Sequence, residues 1–426
     1  MSLTSALPAA KTPLLSRAWL TVGLLCLAGC LNYLDRTMIV TMRESVVKAI
    51  PMTNAQFGLL TSVFLWVYGL LSPLAGFMAD RFSRSKVIVA SLLVWSVVTL
   101  LTSYVKTYEQ LVITRALMGI SEACYIPAAL ALIVDYHRGP TRSLATGIHM
   151  AGIMVGQSLG FVGGWAAEKY SWTTAFGFFG VAGTLYAILL MLGLRDTAPA
   201  TGGAAAQIVK RQEGVRFGEA LRHVFGRSSF LLALGYFSLV SIVGWMILGW
   251  LPTYYKEHYG VSQTTAGIYA TAYMYPAALV GVLTGGYLAD RWNKANPRAR
   301  ILVPATGLLL GAPFVFAASY TGVLAVAILC FMVFVFTRSF GDANLMPVMC
   351  LIIDPRYLAT AYGVLNLFAC VVGGIGIYAA GWLRDARVNL STVFQFASLL
   401  MIASAALLYG VKPKMAGTSS TKPPVS

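Results

Sequence analysis

Gly76-Phe77-Met78-Ala79-Asp80-Arg81 returns in outline as Gly286-Tyr287-Leu288-Ala289-Asp290-Arg291, 210 residues later in a chain of 426. Each copy closes a long apolar stretch and opens a basic loop. Arg84 and Lys86 follow the first copy; Lys294, Arg298 and Arg300 follow the second. One such match carries little information. Two, at half the chain length and in the same context, indicate a duplicated membrane protein.

Composition agrees. Hydrophobic residues make up 58% of the chain and charged residues 11%, against roughly 25% charged in soluble domains. Apolar runs near the ~20 residues that cross a bilayer recur throughout. They predict twelve spans, at about 18–41, 55–79, 86–106, 109–134, 143–168, 172–194, 228–251, 263–289, 300–321, 323–350, 357–384 and 390–411. The expected fold is an all-α membrane protein, two pseudo-symmetric six-helix bundles at 18–194 and 228–411. A cytoplasmic linker with a short amphipathic helix (195–227) joins them, between polar tails at 1–17 and 412–426 that read as disordered.

The net charge of +16 raises nucleic acid as a partner, but its distribution argues against one. With the N-terminus in the cytoplasm, 21 of the 31 Lys and Arg fall on that side; seven lie outside and three inside spans. That is the positive-inside pattern, and it places both termini in the cytoplasm. No basic soluble domain is left to hold a nucleic acid. The first apolar stretch is a full span and not a cleavable signal. All six cysteines fall in predicted helices without metal-type spacing, so no disulfide or metal is expected. No nucleophile–base set argues for an enzyme.

The duplication extends further. Glu122 and Pro127 in span 4 match Asp342 and Pro347 in span 10, both at an offset of 220. Ala145-Thr146 resembles Ala359-Thr360, and Gly164-Trp165 resembles Gly381-Trp382. Gly76-x-x-x-Asp80-Arg81-x-x-Arg84-x-Lys86 resembles the signature loop of the major facilitator superfamily, with Ser83 where a Gly is common. Asn32-Tyr33-Leu34-Asp35-Arg36, and Arg115-x-x-x-Gly119-x-x-Glu122-Ala123 with Pro127, are similar to two branches. These are the anion–cation symporters (sialic acid, hexuronate and galactonate carriers) and the Spinster-like transporters. The resemblance covers residues 18–411. It implies a twelve-helix carrier working by alternating access.

Six charged residues stand inside spans: Asp35, Arg36, Arg115, Glu122, Arg338 and Asp342. Each costs about 2.5–3.5 kcal/mol at a bilayer centre on insertion scales, and together they sum to zero, so pairing can offset the cost. Arg115 and Glu122 lie two turns apart on one face; Arg338 and Asp342 are spaced as an intrahelical pair. The alternatives are fixed ion pairs between helices or a working site. Carried over from the resembled families, Asp35 and Glu122 are the proton sites, and Arg36 and Arg115 hold the substrate anion or couple to it. The function so implied is proton-coupled symport of a small organic anion, with protons as coupling ion and no cofactor. Export of a lysolipid is the alternative.

Weaker candidates for the binding surface are Asn32, Tyr33, Tyr125, His149, Gln157, Asn344 and Asn366, with helix packing the competing role for each. The repeated loops, through Gly76, Asp80, Arg81, Asp290 and Arg291, read as a cytoplasmic gate. A monomer in a bacterial inner membrane is expected.

Overall fold

The computed structural model describes residues 12–137, 141–196 and 217–413. Twelve helical stretches in it are long and apolar enough to cross a membrane. The first half runs α1 (Thr12–Thr41), α2 (Arg43–Ala49), α3 (Asn54–Arg81), α4 (Arg84–Thr102), α5 (Tyr108–Ala123), α6 (Tyr125–Tyr136), α7 (Arg142–Ser158), α8 (Phe161–Lys169) and α9 (Trp172–Gly193). After α10 (Phe217–Phe225), the second runs α11 (Ser228–Tyr259), α12 (Gln263–Ala270), α13 (Met274–Asn293), α14 (Ala299–Tyr320), α15 (Leu324–Arg338), α16 (Phe340–Ile352), α17 (Leu358–Asp385) and α18 (Leu390–Tyr409). The first helix begins at Thr12, inside the stretch read as a tail. Residues 197–216 of the linker, 1–11 and 414–426 lie outside the described residues.

Local chemistry sets the helix ends. Thr53 and Gln56 form a reciprocal capping box at the start of α3, and the Ser83 hydroxyl accepts from Lys86 N at the start of α4. Gly260, at φ 67°, ends α11 in the left-handed conformation a glycine adopts without strain.

Spans 4, 5, 8 and 10, read in the sequence as continuous, are each broken in the middle: at Cys124, at Leu159–Gly160, at 271–273 and at Ser339. Two breaks have a direct cause. Pro127 and Pro276 lack an N–H, so the carbonyls four residues earlier, at Ala123 and Ala272, lose their helical partners. Broken helices are tolerated at membrane depth where they face protein or a cavity.

Glycine sets the close seam within the first half. A Cβ on Gly152 or Gly156 of α7 would collide with the backbone of Cys26 or Cys30 in α1, so α7 and α1 pack backbone to backbone.

The two halves meet along α3 and α17. Ser62 Oγ donates to Gly374 O at 2.6 Å, Trp66 Nε1 to Val371 O at 2.9 Å and Asn366 Nδ2 to Ser72 Oγ at 3.1 Å. Toward the face opposite the termini the contacts become ionic. Asp385 accepts from Asn54 N (2.9 Å) and Ala55 N (2.8 Å), capping α3 from the other half. Lys256 pairs with Glu44 at 2.8 Å, and Arg384 and Arg43 both reach Glu257, at 2.7 and 3.6 Å. Burial, and then the neighbouring Arg384, pushes the Arg43 guanidinium down to about 10. Burial alone would raise Glu44, but its bonds to Lys256 and Lys48 hold it below the usual carboxylate range. The halves are thus latched shut at the face away from the termini.

Candidate functional site

Four ionisable residues collect in the core of the first half. Arg36 Nε lies 2.5 Å from Glu122 Oε2, and the two side chains are 7% and 0% exposed. This links α1 to α5 across 86 residues of sequence. The remaining faces of the guanidinium are covered by rings. Its Cζ stands 4.4 Å from the centroid of Tyr33, 4.9 Å from Phe64 and 4.5 Å from Tyr68. A guanidinium is well suited to such a cage, being planar and weakly hydrated.

Asp35, one residue away and about 100° round the helix, points elsewhere. It is buried and accepts from the Thr99 hydroxyl of α4 at 3.1 Å. Arg115 is also buried; Phe176 lies 5.3 Å from its guanidinium, and its Nε and Nη2 have no hydrogen-bond partner. Asn32 is fully buried beside Glu122. The cluster therefore holds two acids, two arginines and one amide, with one arginine tightly paired and one not. Such a set can exchange partners when a proton or an anion arrives, because the unpaired donors are already desolvated.

Arg36 and Tyr33 also line a narrow cavity of about 40 Å³ between the halves, with Gln157 and with Trp245, Leu248 and Tyr275 from the second half. That volume holds only about two or three waters. The wall from the second half is largely apolar.

Other candidates are placed differently. Tyr125 is fully buried, and its hydroxyl donates to Leu25 O at 2.7 Å. His149 Nδ1 donates to the same carbonyl at 3.1 Å, and the two rings stand 5.9 Å apart. Both brace α1 through that carbonyl and are not among the residues lining this cavity. Asn344 donates to Phe340 O (2.9 Å) and Gly285 O (3.3 Å). Asn366 ties the halves together, as described. Arg338 and Asp342 pair at 3.3 Å across the break at Ser339. Gly244 of α11 gives Arg338 room, since a Cβ there would stand 2.9 Å from Arg338 Nε.

At the termini-bearing face, Asp290 pairs with Arg300 at 3.3 Å and Arg291 donates to the Tyr287 hydroxyl at 3.0 Å, both within the second half. Arg81 ends α3 at that face. The gate assignment to Gly76 and Asp80 falls on side chains outside the described set. Among the described residues no group of three or more His, Cys, Asp or Glu could hold a metal.

Sequence reasoning missed Phe64, Tyr68 and Thr99. Phe64 and Tyr68 stand at i and i+4, a spacing that puts both rings on one face. In a span apolar all round, nothing in the sequence says which face meets Arg36.

A family profile described as Major Facilitator Superfamily matches residues 25–377 and again 245–425. The chain belongs to the major facilitator superfamily. It is a multi-pass membrane transporter and not an enzyme. Among its superfamily relatives, an "MFS-type efflux pump" of Mycolicibacterium smegmatis is 26% identical over 402 residues, covering 92% of this chain and 91% of that one. "Protein spinster homolog 1" of Xenopus laevis is 28% identical over 326 residues; the match covers 70% of this chain and 60% of that protein's length. A "Probable sulfoacetate transporter" of Cupriavidus necator is 25% identical over 403 residues, covering 92% and 93%. A crystal structure of a bacterial homolog of the human lysosomal transporter Spinster, inward-facing and unoccupied, superposes with a TM-score of 0.74. It is 23% identical and covers 94% of this chain and 96% of its own. At that identity it speaks to the fold.

Proposed function

We propose that this transporter is a proton-coupled symporter of a small organic anion. The observation that carries the reading is the buried Arg36–Glu122 pair, caged by three rings, at the edge of the cavity between the halves. Glu122 is the proton site in contact with the substrate arginine, and Asp35 is a second one held by Thr99. Protonation of Glu122 removes the charge that pairs Arg36. Because Arg36 stays charged, it then takes the carboxylate or sulfonate of the substrate in place of Glu122. Arg115, already short of hydrogen-bond partners, offers the second cation. Loading of substrate thus requires loading of a proton, which is symport.

The conformation fits one end of an alternating-access cycle. The halves are latched at the face away from the termini, so with cytoplasmic termini the carrier opens inward, in a bacterial inner membrane and as a monomer. The relative named for sulfoacetate supports a small acidic substrate. A second reading, export of a lysolipid, draws on the Spinster relatives and on the apolar cavity wall of Trp245 and Leu248.

Uptake into proteoliposomes with an imposed pH gradient, screened over sugar acids, sulfonates, monocarboxylates and lysolipids, tests both. Accumulation of an acid above its external concentration, abolished by a protonophore, supports symport. Transport unaffected by the gradient for every substrate overturns it.

A further inference from the structure

The duplication has shaped a pair of grooves on the outside of the molecule, away from the cavity. One lies between α3, α4 and α5, has a volume of about 530 Å³ and is lined by Met78, Phe82, Val87, Ala90, Val94 and Ile120. The other lies between α13, α14 and α16, has a volume of about 500 Å³ and is lined by Leu288, Trp292, Val303, Thr306, Leu310 and Phe340. Six lining positions correspond, while Ser83, Ser91, Ser121 and Cys124 of the first groove and Ala295 of the second have no counterpart in the other. Met78 and Phe82 map to Leu288 and Trp292 at the offset of 210. Val87, Ala90 and Val94 map to Val303, Thr306 and Leu310 at 216, and Ile120 maps to Phe340 at the offset of 220. Five of the six positions are apolar in both halves. Phe82, Val94, Ile120, Trp292 and Leu310 are exposed by 43% or more.

Each groove carries an exposed cation at its termini-facing end, Lys86 in one and Arg291 in the other. The two are not sequence equivalents: Lys86 stands on α4 and Arg291 on α13. The halves therefore keep an apolar slot ending in one positive charge while placing that charge on different helices. A largely apolar slot on the outside of the spans with a cation and an aromatic ring at one end matches one bilayer component, a lipid whose acyl chain lies in the slot and whose phosphate meets the cation.

We propose that each groove binds an anionic phospholipid from the leaflet on the termini side, one lipid per half, independently of the transported substrate. Charge complementarity sets the choice of lipid. A single cation at the leaflet surface favours a net-negative headgroup over a zwitterionic one by about fivefold.

Native mass spectrometry of the full-length protein, titrated in detergent with phosphatidylglycerol or phosphatidylcholine, tests this. The protein should retain two phosphatidylglycerols and bind phosphatidylcholine about fivefold more weakly. Lys86→Ala and Arg291→Ala should each weaken one of the two binding events about fivefold, the double variant both, with Lys86→Arg and Arg291→Lys restoring them. Val94→Trp and Leu310→Trp, which fill the slots from within, should each remove one lipid whether or not the charge variants are stable. Equal retention of the two lipids, unchanged stoichiometry in the tryptophan variants, or dimers appearing in place of lipid adducts would overturn the proposal.

Discussion

Replacing Glu122 with Gln keeps the shape of the side chain and an oxygen that can accept from Arg36, but removes its charge and its titration. Two consequences can be sized separately. Losing one partner of a buried ion pair costs about 3–5 kcal/mol, and here the exposures of 7% and 0% leave little solvent to compensate. The retained amide acceptor returns about 1.5 kcal/mol, and the three rings continue to stabilise the cation. A net loss of about 2–3 kcal/mol follows, enough to lower the melting temperature but not to prevent folding. The functional effect is larger. Each proton carried across a gradient of one pH unit can drive about a tenfold accumulation. Glu122→Gln proteoliposomes should lose the share of accumulation that Glu122 couples, approaching equality of internal and external substrate if it is the sole coupling site. Exchange of internal for external substrate needs no net proton movement and should survive. The assay compares gradient-driven uptake with counterflow in one preparation. Full accumulation with normal proton coupling in the variant would refute the role given to Glu122, and loss of counterflow together with uptake would make the residue structural.

Arg36→Ala should raise the apparent KM for the anion at least about tenfold, as expected when a charged hydrogen bond worth about 1.5–3 kcal/mol is lost; unchanged substrate binding by calorimetry would count against the clamp. Arg43→Ala should loosen the latch at the face opposite the termini, where Arg43 joins Glu257 and Asn54. Spin labels on the α2 and α12 sides should then show a longer distance population, and an unchanged distribution would remove Arg43 from the latch. Glu44, held below its ordinary value by Lys256 and Lys48, stabilises closure while ionised. Its contribution is therefore full above about pH 5 and is lost as pH falls below about 4.5; the same labels, titrated from pH 6 to pH 3, should report opening only at the acid end. Gly156→Ala should destabilise by about 1–3 kcal/mol through overpacking against Cys30, whereas Gly147→Ala, with open space around it, should be neutral or slightly stabilising in the same melting assay.

The architecture was legible because the bilayer imposes it. A span must be about 20 apolar residues with its backbone bonds satisfied within itself, so length and hydropathy alone mark the helices. The repeated Gly-x-x-x-Asp-Arg loop marks the duplication. The intramembrane charges were legible for the same reason: Asp35, Arg36, Arg115 and Glu122 are costly in hydrocarbon and stand out against it. Their partners were not. The sequence presents Asp35 and Glu122 as equivalent acids, yet one pairs with Arg36 and the other accepts from Thr99, because the packing of α1 against α4 and α5 decides which neighbour each meets.

Tyr125, His149 and Asn344 show the limit most clearly. A polar residue in a span reads the same whether it faces a cavity or a neighbouring carbonyl. In this structure Tyr125 and His149 meet Leu25 O, and Asn344 meets the carbonyls of Phe340 and Gly285. The helix breaks at Cys124 and at 271–273 were hidden too, since proline in a membrane helix can kink it, break it or pass unnoticed according to what satisfies the freed groups. Sequence alone thus determined the number of spans, the duplication and which residues carry charge, all properties of a chain dissolved in lipid. Tertiary structure decided which charges are paired, which polar groups are sealed and which face is latched, because most of those contacts join residues far apart in the chain, 64 positions for Thr99 and Asp35, 86 for Arg36 and Glu122 and 331 for Asn54 and Asp385.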